Sequence, residues 1–322
     1  MAINWKKLLI IGLIVAVFIA IPLVMKLRTN IMNLMITLFI YITLSQSWNI
    51  IGGYTGQINL GLAAFFGCGV LITHFLWESG MPIYFAVVGG GLSAVILAGI
   101  IGLPTLRLRG VYFAIGTFAL AQVCRTVVGN TFARMVQMPA SYIASYSIVP
   151  RYYLALIVAI IAIAVVYFLT NSKLGLAMMA IRDDEVAAQV SGVNIFKYKV
   201  LALLISAFLA GLAGGVYAFF RLSFMYITAV FSHTWTFEPI MSVIIGGSGT
   251  LIGPILGSIF LVVLSEIFAL KLGEAHLIIF GILFILVVLY SPHGLVGSVD
   301  KARQLVTHIN RSISKLRGEI QA

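Results

Sequence analysis

NSKLGLAMMAIRDDEVAAQVSGVNIFKYK, residues Asn171–Lys199, interrupts a chain that is otherwise almost uniformly apolar. The stretch holds Asp183, Asp184 and Glu185 in a row, a third of the chain's 9 acids, together with Lys173, Arg182, Lys197 and Lys199. Between residues 8 and 290 no other stretch is this polar for this long. Long apolar runs lie on both sides of it. It therefore reads as a polar island lying outside a membrane that its flanking segments cross.

The bulk composition supports that frame. The 322 residues are 61% hydrophobic and only 9% charged, with a mean hydropathy of +1.12. A soluble domain carries about a quarter charged residues, so this supply cannot build a water-facing surface. The chain reads as an all-α polytopic membrane protein. A helix crossing ~30 Å of hydrocarbon needs about 20 residues. Ten candidate spans follow: 8–25, 31–50, 58–77, 82–103, 111–129, 152–169, 198–220, 236–250, 252–270 and 275–290. The eighth is short and is interrupted by Pro239 and Gly246–Gly247. The first follows Lys6 and Lys7, as in a signal peptide. Its apolar run Leu8–Met25 is longer than a usual signal core and no small-x-small cleavage site follows it, so it reads as a transmembrane helix.

Basic residues set the orientation. With the N-terminus inside, the inner segments carry 13 of the Lys and Arg residues and the outer ones 6, with Arg125 inside a helix. This bias places both termini and the island in the cytoplasm and favours ten crossings over nine. Residues 1–290 then form a transmembrane region with the cytoplasmic loop 171–199, and 291–322 a basic cytoplasmic tail near anionic lipid headgroups. The net charge of +11 encodes topology rather than nucleic-acid binding, because no aromatic–basic array accompanies it.

Enzyme chemistry finds no support. The five histidines are scattered without ligand spacing, and Cys68 and Cys124 lie inside apolar segments, which leaves neither a metal set nor a disulfide framework. No phosphate loop ending in Lys-Ser or Lys-Thr occurs, so the chain does not itself bind ATP that way.

Polar and small residues mark the remaining candidates. Glycines and alanines recur at Gly61, Ala64, Gly67 and Gly69, at Gly89–Gly91, at Gly211, Gly214 and Gly215, and at Gly253 and Gly257. Lipid gives helices no hydrophobic reason to associate, so such residues mark close helix contacts. Ile51–Gly52–Gly53 and Ile245–Gly246–Gly247 look alike, and both fall at inner turns. Arg125, Glu238 and Glu266 are ionisable residues within spans, towards the outer ends of their helices. Two readings apply: a polar outer mouth receiving a charged or zwitterionic solute, with Arg125 facing a carboxylate, or side chains snorkelling to the interface. Gln46 and Asn49, with Ser45 and Ser47, then Gln57 and Asn59, form a second set. They either line a solute path or hydrogen-bond between helices. Within the island, Ala177–Ser191 is expected to form one short helix. Asp183, Asp184 and Glu185 sit near its early turns, Ala187 and Ala188 form a small-residue patch, and Gly192 ends it. That helix either docks a partner or is a solvated loop.

A family resemblance bears on the choice. Glu185, then Ala187-Ala188-x-x-x-Gly192, is similar to the coupling loop of ABC importer permeases. Arg107-Leu-Arg-Gly-Val-Tyr-Phe-Ala114, Asn171-Ser172 to Gly175, Ala180-Ile-Arg-Asp-Asp-Glu185, Lys197–Lys199 and Ile245-Gly-Gly-Ser-Gly-Thr-Leu-Ile-Gly-Pro254 resemble one family over about Gln46 to Pro292. That family is the branched-chain amino-acid ABC importer permeases, specifically the second of two paired permease subunits. Two departures stand out: Val186 occupies the place of the motif's first alanine, and Leu62 stands where relatives often have histidine. The resemblance implies a ten-helix importer permease bundle in the inner membrane, of the class that includes cobalamin transporters. It implies a coupling loop carried by Arg182, Asp183, Asp184, Glu185, Ala187, Ala188 and Gly192. The implied partners are a second homologous permease, two cytoplasmic ATPases that hold the ATP and Mg, and an extracytoplasmic solute-binding protein. The implied cargo is leucine, isoleucine and valine; relatives carry urea, short amides or other amino acids. Rival classes are a stand-alone secondary transporter, disfavoured by the scarcity of mid-membrane charge, and a scaffold or channel, disfavoured by the coupling-type loop.

Overall fold

The computed structural model describes residues 18–22, 29–132, 146–221, 227–272, 281–282, 285, 289 and 294–297. Most of the expected spans 8–25 and 275–290, and nearly all of the tail, lie outside the described residues. Among the described residues all regular structure is helical. Helix α1 spans Thr29–Trp48 and runs on as a π-helical stretch, Asn49–Tyr54. It is followed by α2 (Leu62–Glu78), α3 (Ile83–Leu97, prolonged to Thr105), α4 (Val111–Thr131) and α5 (Ile148–Thr170). The island holds α6 (Lys173–Asp183) and α7 (Glu185–Val190). Then come α8 (Ile195–Phe220), the single turn α9 (Ile227–Val230), α10 (Thr234–Gly246) and α11 (Gly253–Leu272).

Five of these are long and apolar enough to cross a membrane: Thr29–Tyr54, Ile83–Thr105, Val111–Thr131, Ile148–Thr170 and Ile195–Phe220. They match expected spans to within a few residues, and the chain is a multi-pass membrane protein. Two other expected spans are corrected. The third does not start as a helix at 58, because residues 55–61 are non-helical and α2 begins at Leu62. The eighth is not a through-helix, because α10 has 13 residues. At 1.5 Å per residue that is about 20 Å, short of the ~30 Å core. It ends where Gly247 turns the backbone to φ +123°.

Non-helical backbone at membrane depth survives only where protein satisfies its polar groups. Residues 55–61 meet that condition through a backbone bond, the side chains of Trp48 and Thr117, and their own Asn59. Gln57 N donates to Ile51 O, and Trp48 Nε1 donates to Asn59 O at 2.7 Å. Thr117 Oγ1 accepts from Leu60 N, Asn59 Oδ1 from Gly61 N, and Thr236 Oγ1 from Ala63 N at 2.9 Å. The last bond joins the N-terminus of α2 to the first turn of α10, so both broken elements begin at the same depth.

At the centre, α8 packs against α2, α3, α1 and α5. The expected small-residue contacts are present: Gly69, Gly90 and Gly211 meet at one point. A Cβ on Gly69 would stand 2.6 Å from Gly211 Cα, and one on Gly90 would stand 2.6 Å from Gly69 O. Any side chain there would force three helices apart. On the other flank, α1 packs against α5, α10 and α11, and α10 against α11. The bundle has an island end, where Tyr54, α6, α7 and the α10–α11 turn gather, and a far end, where α1 begins and α8 stops. Arg107 and Arg109 share a cleft with Glu185 and Lys199 at the island end. Arg151 bonds Phe219 O, beside Arg221, at the far end. In the tail, Gly294 is buried, and a Cβ there would stand 2.5 Å from Gly247 N.

Candidate functional site

The island forms two helices, not the single one expected over Ala177–Ser191. The break is Asp184, whose backbone is extended at φ −158°, ψ 114°. Its Oδ1 accepts from Val186 N at 2.7 Å and Ala187 N at 3.0 Å. Aspartate is among the strongest N-caps, so Asp184 stops α6 and starts α7 instead of lying inside a helix. Asp183 closes α6, and Glu185 opens α7. Gly192 ends α7 as expected, at φ +84°, with Val193 N donating to Ala188 O and Gly192 N to Gln189 O. This double bond pattern needs a left-handed residue at that place.

The small-residue patch splits. Ala188 is buried at 4% exposure and faces the bundle, whereas Ala187 is exposed. The outward face of α7 carries Val186 at 69% and Val190 at 85% exposure, one helical turn apart. The departure from alanine at Val186 therefore lies on the outward face.

Three side chains tie the island to the membrane helices. Arg182 Nη1 donates to Gly53 O at 2.7 Å. There the π-helical stretch Asn49–Tyr54 meets the α10–α11 turn, because a Cβ on Gly53 would stand 2.6 Å from Gly249 N. Gly249 has φ +72° and lies against the Arg182 guanidinium, which excludes any side chain. Lys199, buried at 3% exposure, places Nζ 2.5 Å from Glu185 Oε1. Gln57 Nε2 donates to the same Oε1 at 3.2 Å. Arg182 thus reaches the π-helical end of the first crossing and the α10–α11 turn, and Glu185 reaches the non-helical start of the α2 crossing.

The other amides act between helices. Gln46 Nε2 donates to Leu251 O at 2.7 Å; Asn49 Nδ2 donates to Thr250 O, and its Oδ1 accepts from Gly249 N, both at 2.9 Å. Together they hold the α10–α11 turn backbone at three consecutive residues. Ser45 bonds Ser258, and Ser47 bonds Ser206. Asn59 braces the 55–61 segment. Ser45, Gln46, Ser47 and Asn49 thus bond between elements, whereas Gln46 Oε1 and Asn59 Nδ2 are buried without a hydrogen-bond partner.

At the far end a cavity of about 330 Å3 opens between α1, the end of α8 and α11. Glu238 lines it, and Tyr41 Oη donates a hydrogen bond to that carboxylate. Tyr41 lies near the middle of the 26-residue span Thr29–Tyr54. Glu238 is early in its own helix, as expected, yet α10 starts so deep that the carboxylate sits near mid-bundle rather than at the mouth. Tyr41 is held by stacking on Trp235 at 5.8 Å, and Trp235 stacks on Phe66 at 4.3 Å. Glu266 lines the wall.

Arg125 does not line this cavity. It stands half-buried on α4, within electrostatic reach of His233. The guanidinium lining the cavity belongs to Arg221, which sequence reasoning placed in an outer segment and left without a role. Asn30, Asn33, Thr37 and Tyr41 were also passed over. Their spacing of three and four residues puts them on one helix face, and that polar stripe was a signal available in the sequence.

A family model described as branched-chain amino acid transport system / permease component matches residues 30–288. The high-affinity branched-chain amino acid transport system permease protein LivM of Escherichia coli is 28% identical over 296 residues, covering 80% of this chain and 67% of the relative. A probable branched-chain amino acid transport permease protein LivM of Methanocaldococcus jannaschii is 24% identical over 315 residues, covering 80% and 90%. A ribose import permease protein RbsC of Haemophilus influenzae is 32% identical over 101 residues, 30% of each chain. No solved structure matches the chain significantly.

Proposed function

The chain belongs to the family of branched-chain amino acid transport system permease components, and on that premise we propose that it is one permease subunit of an ATP-driven importer carrying leucine, isoleucine and valine across the inner membrane. It pairs with a second, homologous permease, and both termini and the island face the cytoplasm. Two cytoplasmic ATPases bind ATP with Mg and dock on the outward face of α7. A solute-binding protein delivers cargo to the far end.

The observation that carries this reading is the set of ties from the island to both broken crossings. A docking helix transmits force only if it grips what must move. Arg182 grips Gly53, and its guanidinium abuts Gly249; Glu185 grips Gln57 and Lys199. When the ATPases close, α7 shifts, and the non-helical segment 55–61 and the α10–α11 turn shift with it. These are the parts of the bundle without a continuous helical ladder, so they deform at least cost. Alternation of access between the two ends follows.

The test is uptake by the reconstituted complex with its binding protein. Labelled leucine should accumulate against a gradient only with hydrolysable ATP, and labelled urea should not. Accumulation without ATP would make the chain a secondary transporter, and equilibration without accumulation a channel. ATP-driven accumulation of urea in place of leucine would leave the importer and change its cargo.

A further inference from the structure

We infer that the cleft at the island end is a binding site for an anionic phospholipid of the adjoining leaflet, its phosphodiester at Arg107 and Arg109 and its acyl chains on the bare flank of α4. The inference needs only that the chain crosses a membrane, and it is independent of the cargo. The starting observation is a pair of guanidiniums without an acid. Arg107, Arg109, Glu185 and Lys199 line a cleft of about 570 Å3. Lys199 Nζ lies 2.5 Å from Glu185 Oε1, so that cation is already answered. Neither arginine pairs with an acid among the described residues, and both are exposed. The cleft thus carries two surplus positive charges. A guanidinium takes a phosphate through paired N–H donors. Ile195 and Phe196, the first residues of α8, also line the cleft, and the positive end of a helix dipole adds to the attraction for an anion.

Depth and the neighbouring surface select a lipid as the occupant. The arginines sit in the short connection 106–110, between the spans Ile83–Thr105 and Val111–Thr131. Arg107 N donates to Pro104 O and Leu108 N to Thr105 O, which curls the connection back onto the end of α3. A connection of that length, rising and returning, reaches at most about 9 Å from the helix ends. The headgroup layer on each side of the hydrocarbon is roughly 5–8 Å deep. The guanidiniums therefore stand at the level of lipid phosphates. At the start of α4, Val111, Tyr112 and Ile115 are exposed and apolar, and α4 is the most exposed of the five long spans. An anionic phospholipid answers both features, its phosphate meeting the arginines and its acyl chains the flank. Basic pockets between membrane helices take such headgroups. A free phosphate meets the charge and leaves the flank unused. A zwitterionic lipid brings its own cation against the arginines. An acidic protein segment would have to enter the headgroup layer to reach them, whereas the outward face of α7, with Val186 and Val190, is open to a partner from beyond that layer.

The experiment uses the full chain purified with its partner subunits, stripped of lipid in detergent. It is titrated with dioleoylphosphatidylglycerol or dioleoylphosphatidylcholine, and bound lipid is counted by native mass spectrometry. The wild type should hold phosphatidylglycerol about tenfold tighter than phosphatidylcholine. Arg107→Gln and Arg109→Gln should each weaken phosphatidylglycerol about fivefold, and the double variant roughly twentyfold. Lys173→Gln removes the same charge outside the cleft and should change binding by less than about twofold. Copurification reports assembly. If a glutamine variant fails to assemble, its lysine counterpart, which keeps the charge and loses the paired donors, should weaken binding about twofold or more. Equal binding of the two lipids by the wild type, an equal loss in Lys173→Gln, or unchanged binding in the arginine variants would overturn the site. Displacement of the lipid by inorganic phosphate alone would make it a free-anion site and overturn the lipid. Loss of the ATPases with lipid binding unchanged would give the cleft to a protein partner instead. Uptake keeps the two readings apart: a wild-type complex that accumulates no leucine overturns the importer reading and leaves the lipid site standing.

Discussion

At the island end, Arg182, Glu185, Lys199, Gln46 and Asn49 all reach partners on other elements; at the far end, Asn30, Arg221 and Glu266 line a cavity together with Glu238, which accepts from Tyr41. The first arrangement uses polar groups to lock backbone that lacks a helical ladder. The second leaves polar groups facing a volume that a solute can enter. Polarity alone therefore does not mark a path in this bundle. The distinguishing feature is whether the polar groups hold backbone that lacks a helical ladder, as Arg182, Gln46 and Asn49 do.

The contrast can be broken at several points. The largest effect is expected at the outward face of α7. Val190→Asp puts a charge on an 85%-exposed apolar side chain, and should cut uptake by more than tenfold while leaving the thermal midpoint of the isolated permease pair unchanged. A fall in that midpoint would show that Val190 serves the fold and not a partner. Next, Arg182→Ala removes the bond to Gly53 and the packing against Gly249. Leucine moved per ATP hydrolysed should drop about tenfold, measured as uptake and phosphate release on the same proteoliposomes. An unchanged ratio would remove Arg182 from the coupling route.

A stability effect comes third. Lys199→Met leaves Glu185 without its cation. Breaking a fully buried pair costs about 3–5 kcal/mol, but the Glu185 side chain is 31% exposed, so about 1–3 kcal/mol is expected. Chemical unfolding of the purified complex checks the value, and adding Glu185→Gln should restore part of the loss. The smallest effect is expected at Arg125. Because it lies outside the cavity, Arg125→Ala should change leucine uptake by less than about twofold. A large loss would return Arg125 to the path.

Much of the fold was legible in the residues. Apolar run lengths located most of the helices because depth in hydrocarbon is a one-dimensional property of the chain. Glycine clusters located the node of Gly69, Gly90 and Gly211, since only small residues let helices approach closely without a hydrophobic drive. Gly192 announced the end of α7. The break at Asp184 was also legible: an aspartate before Glu-Val-Ala-Ala is an N-cap signal, but it was read as helix interior because three acids in a row suggested a single dipole-facing turn. The eighth span misled because Pro239 and Gly246–Gly247 were taken as interruptions in a crossing, whereas α10 starts deep and ends at Gly246.

The candidate site was less legible, for a physical reason. In a lipid-solvated chain, hydropathy says how deep a residue can lie but not which neighbour it will face, because every apolar helix face suits lipid equally. The sequence by itself determined the class of protein, most of the spans, the polar island and the small residues through which helices touch. Only the tertiary structure decided that Arg182 meets Gly53 across 129 residues and Gln46 meets Leu251 across 205. It also decided that Arg221, not Arg125, shares a cavity with Glu238 and Glu266. Those pairings depend on the rotation and register of one helix against another, which close packing at distant glycines sets and no local run of residues encodes.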